Sequence, residues 1–153
     1  MPIRDARAED LGAVAALIRA LADYEHLGHE VTFDLDTLGH WLFGPTPAAR
    51  VTLATTEAGD VVGMALWYVT FSTFLGRPGI WLEDLFVRPE ARGGGLGRSL
   101  LDDLRRRTDG RVEWAVLDWN APSIAFYEAL GARPVTGWTR YRWLPGPSEG
   151  PGR

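Results

Sequence analysis

The sequence predicts an α/β (α+β) domain: helices flank a mixed central sheet that is antiparallel early in the chain and gains a parallel pair later. Three observations carry this reading. The chain has 153 residues, 46% of them hydrophobic, which suits one domain with its own core, read as residues 1–144. Two β-branched and aromatic runs, 51–56 and 61–71, are joined by Ala58-Gly59-Asp60, the pattern of an antiparallel hairpin. Further on, an apolar run at 80–87, a glycine-rich loop, leucines at helical spacing and a second β-type run at 111–117 make a strand, helix, strand unit whose strands run parallel.

The elements follow in order. Residues 2–6 read as a short strand, and 9–24 as a helix, with Leu11, Val14, Leu17, Ile18 and Leu21 on one face. An acidic stretch comes next: Asp23, Glu25, Glu30, Asp34 and Asp36, with no Arg between Arg19 and Arg50. A second helix starts at Asp34 or Asp36 and ends near Phe43, before Gly44-Pro45. After the hairpin, the turn Gly76-Arg77-Pro78-Gly79 leads into the strand at 80–87. Leu96, Leu100, Leu101 and Leu104 mark the third helix, 111–117 a strand, and 122–130 a fourth helix. A final strand is expected at 135–144, after Gly131. The tail at 145–153, PGPSEGPGR, has too little apolar content to fold and is expected to be disordered.

Composition excludes several chemistries. With no Cys there is no disulfide, thiolate metal site or cysteine nucleophile. With no Lys there is no Walker phosphate loop and no Schiff base. No apolar run approaches the ~20 residues that cross a bilayer, and MPIRDARAED is charged where a signal peptide is apolar, so a cytoplasmic protein without a membrane partner is expected. Residues 1–60 hold ten acids against four Arg, and 61–153 ten acids against twelve Arg. That balance argues against nucleic acid as a partner and suits a cationic ligand meeting an anionic one. His26 and His29 have ligand-like spacing but no third ligand, so no metal is expected. The run Arg105-Arg106-Arg107 reads as a solvated last helical turn.

The stretch RGGGLGR, residues 92–98, sits between a strand and a helix, so it is a poor domain linker. It also fails the dinucleotide fingerprint, because Arg98 stands at the third glycine position. What remains is a diphosphate site built from backbone. Gly93, Gly94, Gly95 and Gly97 let N–H groups approach an anion, the helix opening at Leu96 adds its free donors, and Arg92 and Arg98 add charge at the edges.

The segment WLEDLFVRPEARGGGLGRSLL resembles the coenzyme A motif of the GCN5-related N-acetyltransferase (GNAT) superfamily, R/Q-x-x-G-x-G/A after a bulged strand, with Arg92, Gly95 and Gly97 at its fixed positions. AVLDWNAPSIAFYEALGA resembles the second half of the same superfamily. Together LEDLFV, RGGGLG, LDWN and FYEALGA are similar to the diamine (spermidine/spermine) and thialysine N-acetyltransferase family, over residues 3–144. The resemblance implies a GNAT fold whose two parallel strands splay, with acetyl-CoA between the strand ending at Val87 and the one ending near Leu117. Leu85, Phe86 and Val87 would line its arm, and an N–H near Leu85 would hold the thioester oxygen. Asn120, Pro122 and Ser123 are expected at the coenzyme as well, Asn120 also reading as a helix cap with Pro122 in the first turn.

The acceptor must be a neutral amine, whereas an alkyl ammonium has a pKa of about 10.4. By resemblance Glu83 takes its proton, directly or through a water, and Tyr127 is the general acid for the departing thiolate. Each residue has a plainer reading. Adjacent acids such as Glu83 and Asp84 point to opposite faces of a regular strand, and Phe126, Tyr127 and Leu130 form one helix face. Tyr24 and Glu25 match positions that contact the amine, and Asp84 and Asp118 are further carboxylates for a cation. The loop 132–137 is shorter than in diamine enzymes and lacks their acids, which favours a small amine or amino-acid side chain over a long polyamine. Direct attack in a ternary complex is expected, since no Cys can form an acyl-enzyme. The family also implies a homodimer. Two other readings remain: transfer to protein or peptide amines, and a non-catalytic acyl-CoA-binding module.

Overall fold

The computed structural model describes residues 2–146, which form two compact units divided between Ala115 and Val116. The first unit holds a five-stranded sheet in the order β1 (Ile3–Asp5), β2 (Arg50–Thr55), β3 (Val61–Ser72), β4 (Arg77–Val87), β5 (Val112–Glu113). All neighbours are antiparallel except β4 and β5, which pair parallel as expected. Helices α1 (Leu11–Tyr24), α2 (Leu35–Phe43) and α3 (Leu96–Arg106) belong to this unit, and α4 (Ala121–Ala129) to the second. No helix among the described residues is long and apolar enough to cross a membrane.

Alternation along the strands builds two buried layers. Val51 and Leu53 of β2, Met64 and Leu66 of β3 and Phe86 of β4 pack with Val14 and Leu17 of α1 and Leu42 of α2. On the other face lies Thr52, which accepts the Trp67 indole N–H at 3.1 Å, and Arg107, just past α3, stacks 5.3 Å from the Trp67 ring centroid. The α3 leucines at 100, 101 and 104 are buried, which accounts for their spacing. Arg107 is not merely solvated: it donates to Asp103 at 2.7 Å and Asp5 at 2.6 Å, fastening α3 to β1.

The N-terminal strand and first helix are joined by a clasp. Arg4 donates twice to Asp10, at 2.8 and 2.9 Å, and the Arg7 backbone N–H donates to the same carboxylate at 2.7 Å. The paired Arg4 guanidinium and this N–H hold the Asp10 carboxyl below its usual range. Asp34 caps α2 by accepting the Thr37 N–H at 2.8 Å.

Two expected strands differ. The run at 111–117 keeps ladder geometry only at Val112–Glu113, opposite Ile80 and Trp81, while β4 continues to Val87. Residues 135–144 form no strand. Trp138, Tyr141 and Trp143 are β-prone but stand in solvent, Trp143 fully exposed; a strand needs a ladder, and the sheet among the described residues does not include this segment. Of the tail expected to be disordered, residues 147–153 lie outside the described residues.

Candidate functional site

The Glu83-Asp84 pair is displaced from regular strand geometry. The β3–β4 register pairs Leu66 with Asp84 but Trp67 with Leu82, so Glu83 is the extra residue of a β-bulge. A bulge breaks the alternation that would send adjacent acids to opposite faces. Both carboxylates consequently line one cavity, which corrects the plainer reading of this pair. The cavity is about 330 Å³ and is walled by Ile18, Leu21, Ala22 and Glu25 from the end of α1, and by Leu27, Glu30 and Val31 from the turn that follows.

That turn is set by a Schellman closure. The Leu27 N–H reaches the Ala22 carbonyl at 2.8 Å and the His26 N–H reaches Asp23 at 3.1 Å, with His26 in the left-handed region at φ 59°. The closure carries Leu27 back toward the helix and leaves Glu25 facing the strand acids. A glycine is the usual choice at such a position, so His26 stores local strain beside the cavity.

The three carboxylates differ in surroundings. Glu83 is exposed and accepts the Trp81 indole N–H at 2.9 Å. Burial raises the Glu25 carboxyl above its usual value. Asp84 is pushed up to about 7, first by burial and then by the like charges of Glu83 and Glu25. Tyr24 is not in the cavity wall. Its ring instead stacks with the Arg92 guanidinium, 5.4 Å from the centroid; the same guanidinium lies 5.5 Å from the Phe86 centroid, and its Nε donates to the Val87 carbonyl at 2.8 Å. Arg92 thereby ties the glycine loop to the helix that bears Glu25.

The loop itself has the geometry of an anion cradle. Gly93 and Gly95 have φ of 87° and 83°, and no atom lies within 4 Å of where a Cβ would sit on Gly93, Gly94 or Gly95. The first backbone bond of α3 runs from the Ser99 N–H to the Gly95 carbonyl, so the N–H groups of Leu96, Gly97 and Arg98 remain available at the positive end of the helix. Arg98 is exposed and 3.6 Å from Asp102. Beyond Trp81, β4 pairs with no further β5 residue among the described residues, and Leu85 and Val87 are half-buried there. Phe86 is buried in the core, which leaves its backbone rather than its ring for a ligand.

In the second unit Asn120 is buried and caps α4, its side chain accepting the Ser123 N–H at 3.4 Å with Pro122 in the first turn. The helix closes through a second Schellman pair, Ala132 N–H to Tyr127 carbonyl and Gly131 N–H to Glu128 carbonyl, which explains the leucine-glycine ending of FYEALGA. Tyr127 is half-buried, 5.4 Å from the Phe126 ring, and no residue of α4 is fully buried. Asp118 is exposed. Sequence reasoning did not find Trp81 as the partner of Glu83, nor the apolar part of the cavity, since Ile18 and Leu21 read simply as a core face. Of the acidic stretch only Glu25 and Glu30 line the cavity; Asp34 is occupied as a cap. Among the described residues no group of three or more His, Cys, Asp or Glu could hold a metal ion.

Comparison with known proteins finds relatives over most of the chain. A family model described as the acetyltransferase (GNAT) family matches residues 14–132. The chain is 37% identical to a thialysine N-epsilon-acetyltransferase of Bos taurus over 155 residues, covering 92% of this chain and 91% of the relative. It is 41% identical to a thialysine N-epsilon-acetyltransferase of Caenorhabditis elegans over 134 residues, covering 83% and 81%. A crystal structure of a probable acetyltransferase superposes with a TM-score of 0.76 at 21% identity, covering 95% of this chain and 99% of that one.

Proposed function

The chain belongs to the acetyltransferase (GNAT) family, whose members take an acetyl group from acetyl-CoA, and on that premise we propose that it acetylates the primary amine of a small amino-acid-like cation, of the thialysine or lysine type. The observation that carries the substrate class is the cavity of about 330 Å³ that sets Glu25, Glu30, Glu83 and Asp84 against Ile18, Leu21, Leu27 and Val31. Carboxylates attract an ammonium group and the apolar wall takes a short methylene chain. A long polyamine would present further charges to the apolar wall.

The donor side fits acetyl-CoA on the chain's own geometry: Gly93 and Gly95 are turned so that an anion meets N–H groups and no side chain. In this reading Arg92, Gly93, Gly94, Gly95, Leu96, Gly97 and Arg98 hold the pyrophosphate. The edge of β4 at Leu85, Phe86 and Val87 would offer backbone groups to the coenzyme arm, and by resemblance Asn120, Pro122 and Ser123 are assigned to the coenzyme as well. Bound acetyl-CoA would supply an activated thioester carbonyl, whose oxygen the N–H near Leu85 would hold. The amine attacks directly, within a ternary complex. Glu83 stands where the ammonium proton leaves, directly or through a water, and Tyr127 gives a proton to the departing thiolate. By resemblance Tyr24 and Asp118 are also assigned to the amine, though Tyr24 is not part of the cavity wall. The family match spans both compact units, which supports reading residues 1–144 as one catalytic domain. We further read the protein as a cytoplasmic homodimer, a state that light scattering of the purified chain tests.

Free CoA release measured with thialysine, lysine, ornithine, putrescine, spermidine and an N-terminal peptide tests the assignment. The amino acids are expected to be turned over best. Preference for the peptide would move the function to protein acetylation, and binding of acetyl-CoA without release in any case would make the chain a non-catalytic module. Tyr127→Phe is expected to lower kcat by about 100-fold while acetyl-CoA affinity, read by calorimetry, changes little; unchanged kcat removes Tyr127 from the reaction.

A further inference from the structure

The bulge that places Glu83 and Asp84 on one cavity gives them unequal positions. Glu83 is exposed, with one oxygen engaged by the Trp81 indole. Asp84 is the more buried of the two. Its charged neighbours are Glu83 on its own strand and Glu25 at the end of α1, with Glu30 from the following turn in the same wall. None of these is a cation, so nothing in the cavity neutralises Asp84 until a cationic ligand enters.

From this geometry we infer that Asp84 is the carboxylate that takes up the proton of the acceptor amine, while Glu83, nearer solvent, anchors the ammonium group and passes the proton outward. The inference rests on the acetyl-transfer reading and narrows its proton path: the proton reaches Glu83 by way of Asp84 rather than directly or through a water. In the step, the ammonium N–H bond breaks and its electron pair stays on nitrogen as the nucleophile. An O–H bond forms on Asp84, and the cavity loses one positive and one negative charge together. The proton then leaves through Glu83 to water, restoring the carboxylate.

Proton affinity favours this division of labour. An ordinary carboxylate lies about 6 pKa units below an alkyl ammonium, an unfavourable transfer of about a millionfold. Burial among like charges brings Asp84 to about 7 and removes roughly half of that gap. Entry of the cationic amine before transfer also relieves the repulsion among Asp84, Glu83 and Glu25, so binding and proton uptake draw on the same charges.

The test is kcat/KM against pH for the unaltered protein, Asp84→Asn and Glu83→Gln, with thialysine and acetyl-CoA. The unaltered protein is expected to show an acid limb near pH 7. Asp84→Asn should abolish that limb and lower kcat by about 100-fold. Glu83→Gln should keep the limb and mainly raise the amine KM. Loss of the limb in Glu83→Gln with retention in Asp84→Asn overturns the inference. A second measurement needs no turnover: carboxyl carbon NMR of the free protein should show one aspartate titrating near 7 that disappears in Asp84→Asn. An Asp84 that titrates below about 5, in a protein that does acetylate amines, overturns this inference alone. Absence of CoA release by the unaltered protein with every amine overturns the acetyl-transfer reading beneath it.

Discussion

The clasp at the start of α1 and the cavity at its end put the same side chain to opposite use. Asp10 is surrounded by donors: two nitrogens of Arg4 and the Arg7 N–H lie within 2.9 Å, and its carboxyl is held below the usual range. Asp84 is surrounded by apolar walls and other acids, and is pushed up to about 7. A satisfied carboxylate stabilises the fold. One crowded by like charges destabilises it in proportion to its readiness to meet a cation, which makes Asp84 a candidate for function.

The contrast breaks most sharply under pH. Asp84 binds its proton more tightly folded than unfolded, so between about pH 4 and 7 folding stability from this group falls as pH rises, and above 7 the penalty is complete. A shift from 3.8 to about 7 corresponds to roughly 4 kcal/mol. Asp84→Asn should therefore raise the thermal midpoint at pH 8 and do so far less at pH 4.5. An unchanged midpoint at pH 8 would show that Asp84 ionises without cost. Asp10 works in reverse: its lowered value contributes stability above the unfolded pKa that is lost as pH falls through the folded one. Asp10→Asn should cost about 2 kcal/mol at pH 7 in urea unfolding and remove part of the acid sensitivity. A neutral outcome would reduce the clasp to a surface ion pair. The smallest effect belongs to His26, where the left-handed backbone is strained. His26→Gly should raise the thermal midpoint by an amount worth under about 1 kcal/mol, and a fall would mean that the His26 side chain holds the turn.

Local features of the sequence translated directly into structure. The leucines of α3 and the Ala58-Gly59-Asp60 turn are decided by residues a few positions apart, and the α4 cap by Asn120 and Ser123. The paired faces of Glu83 and Asp84 were not legible, because the bulge is a register relation between β3 and β4 rather than a property of either strand. Residues 135–144 misled for a related reason: Trp, Tyr and Thr suit a strand only when a neighbour supplies hydrogen bonds, and propensity is blind to that supply. The turn of the glycine loop was readable from the sequence, since the positive φ values at Gly93 and Gly95 are ones that glycine adopts freely. The acidic cavity was readable only as an excess of acids, of which Asp34 is engaged as a helix cap.

The glycine loop also bears on the durability of the protein. A thioester slowly acylates free amines and thiols, and proteins that hold one at high occupancy risk modifying themselves. In the proposed donor site the coenzyme's anionic end would meet main-chain N–H groups and guanidinium, neither of which is an effective nucleophile, and the 153 residues contain no lysine side chain and no thiol. That composition leaves the chain without the two side chains a thioester acylates most readily, and an amine bound in the proposed cavity would be the nucleophile it meets.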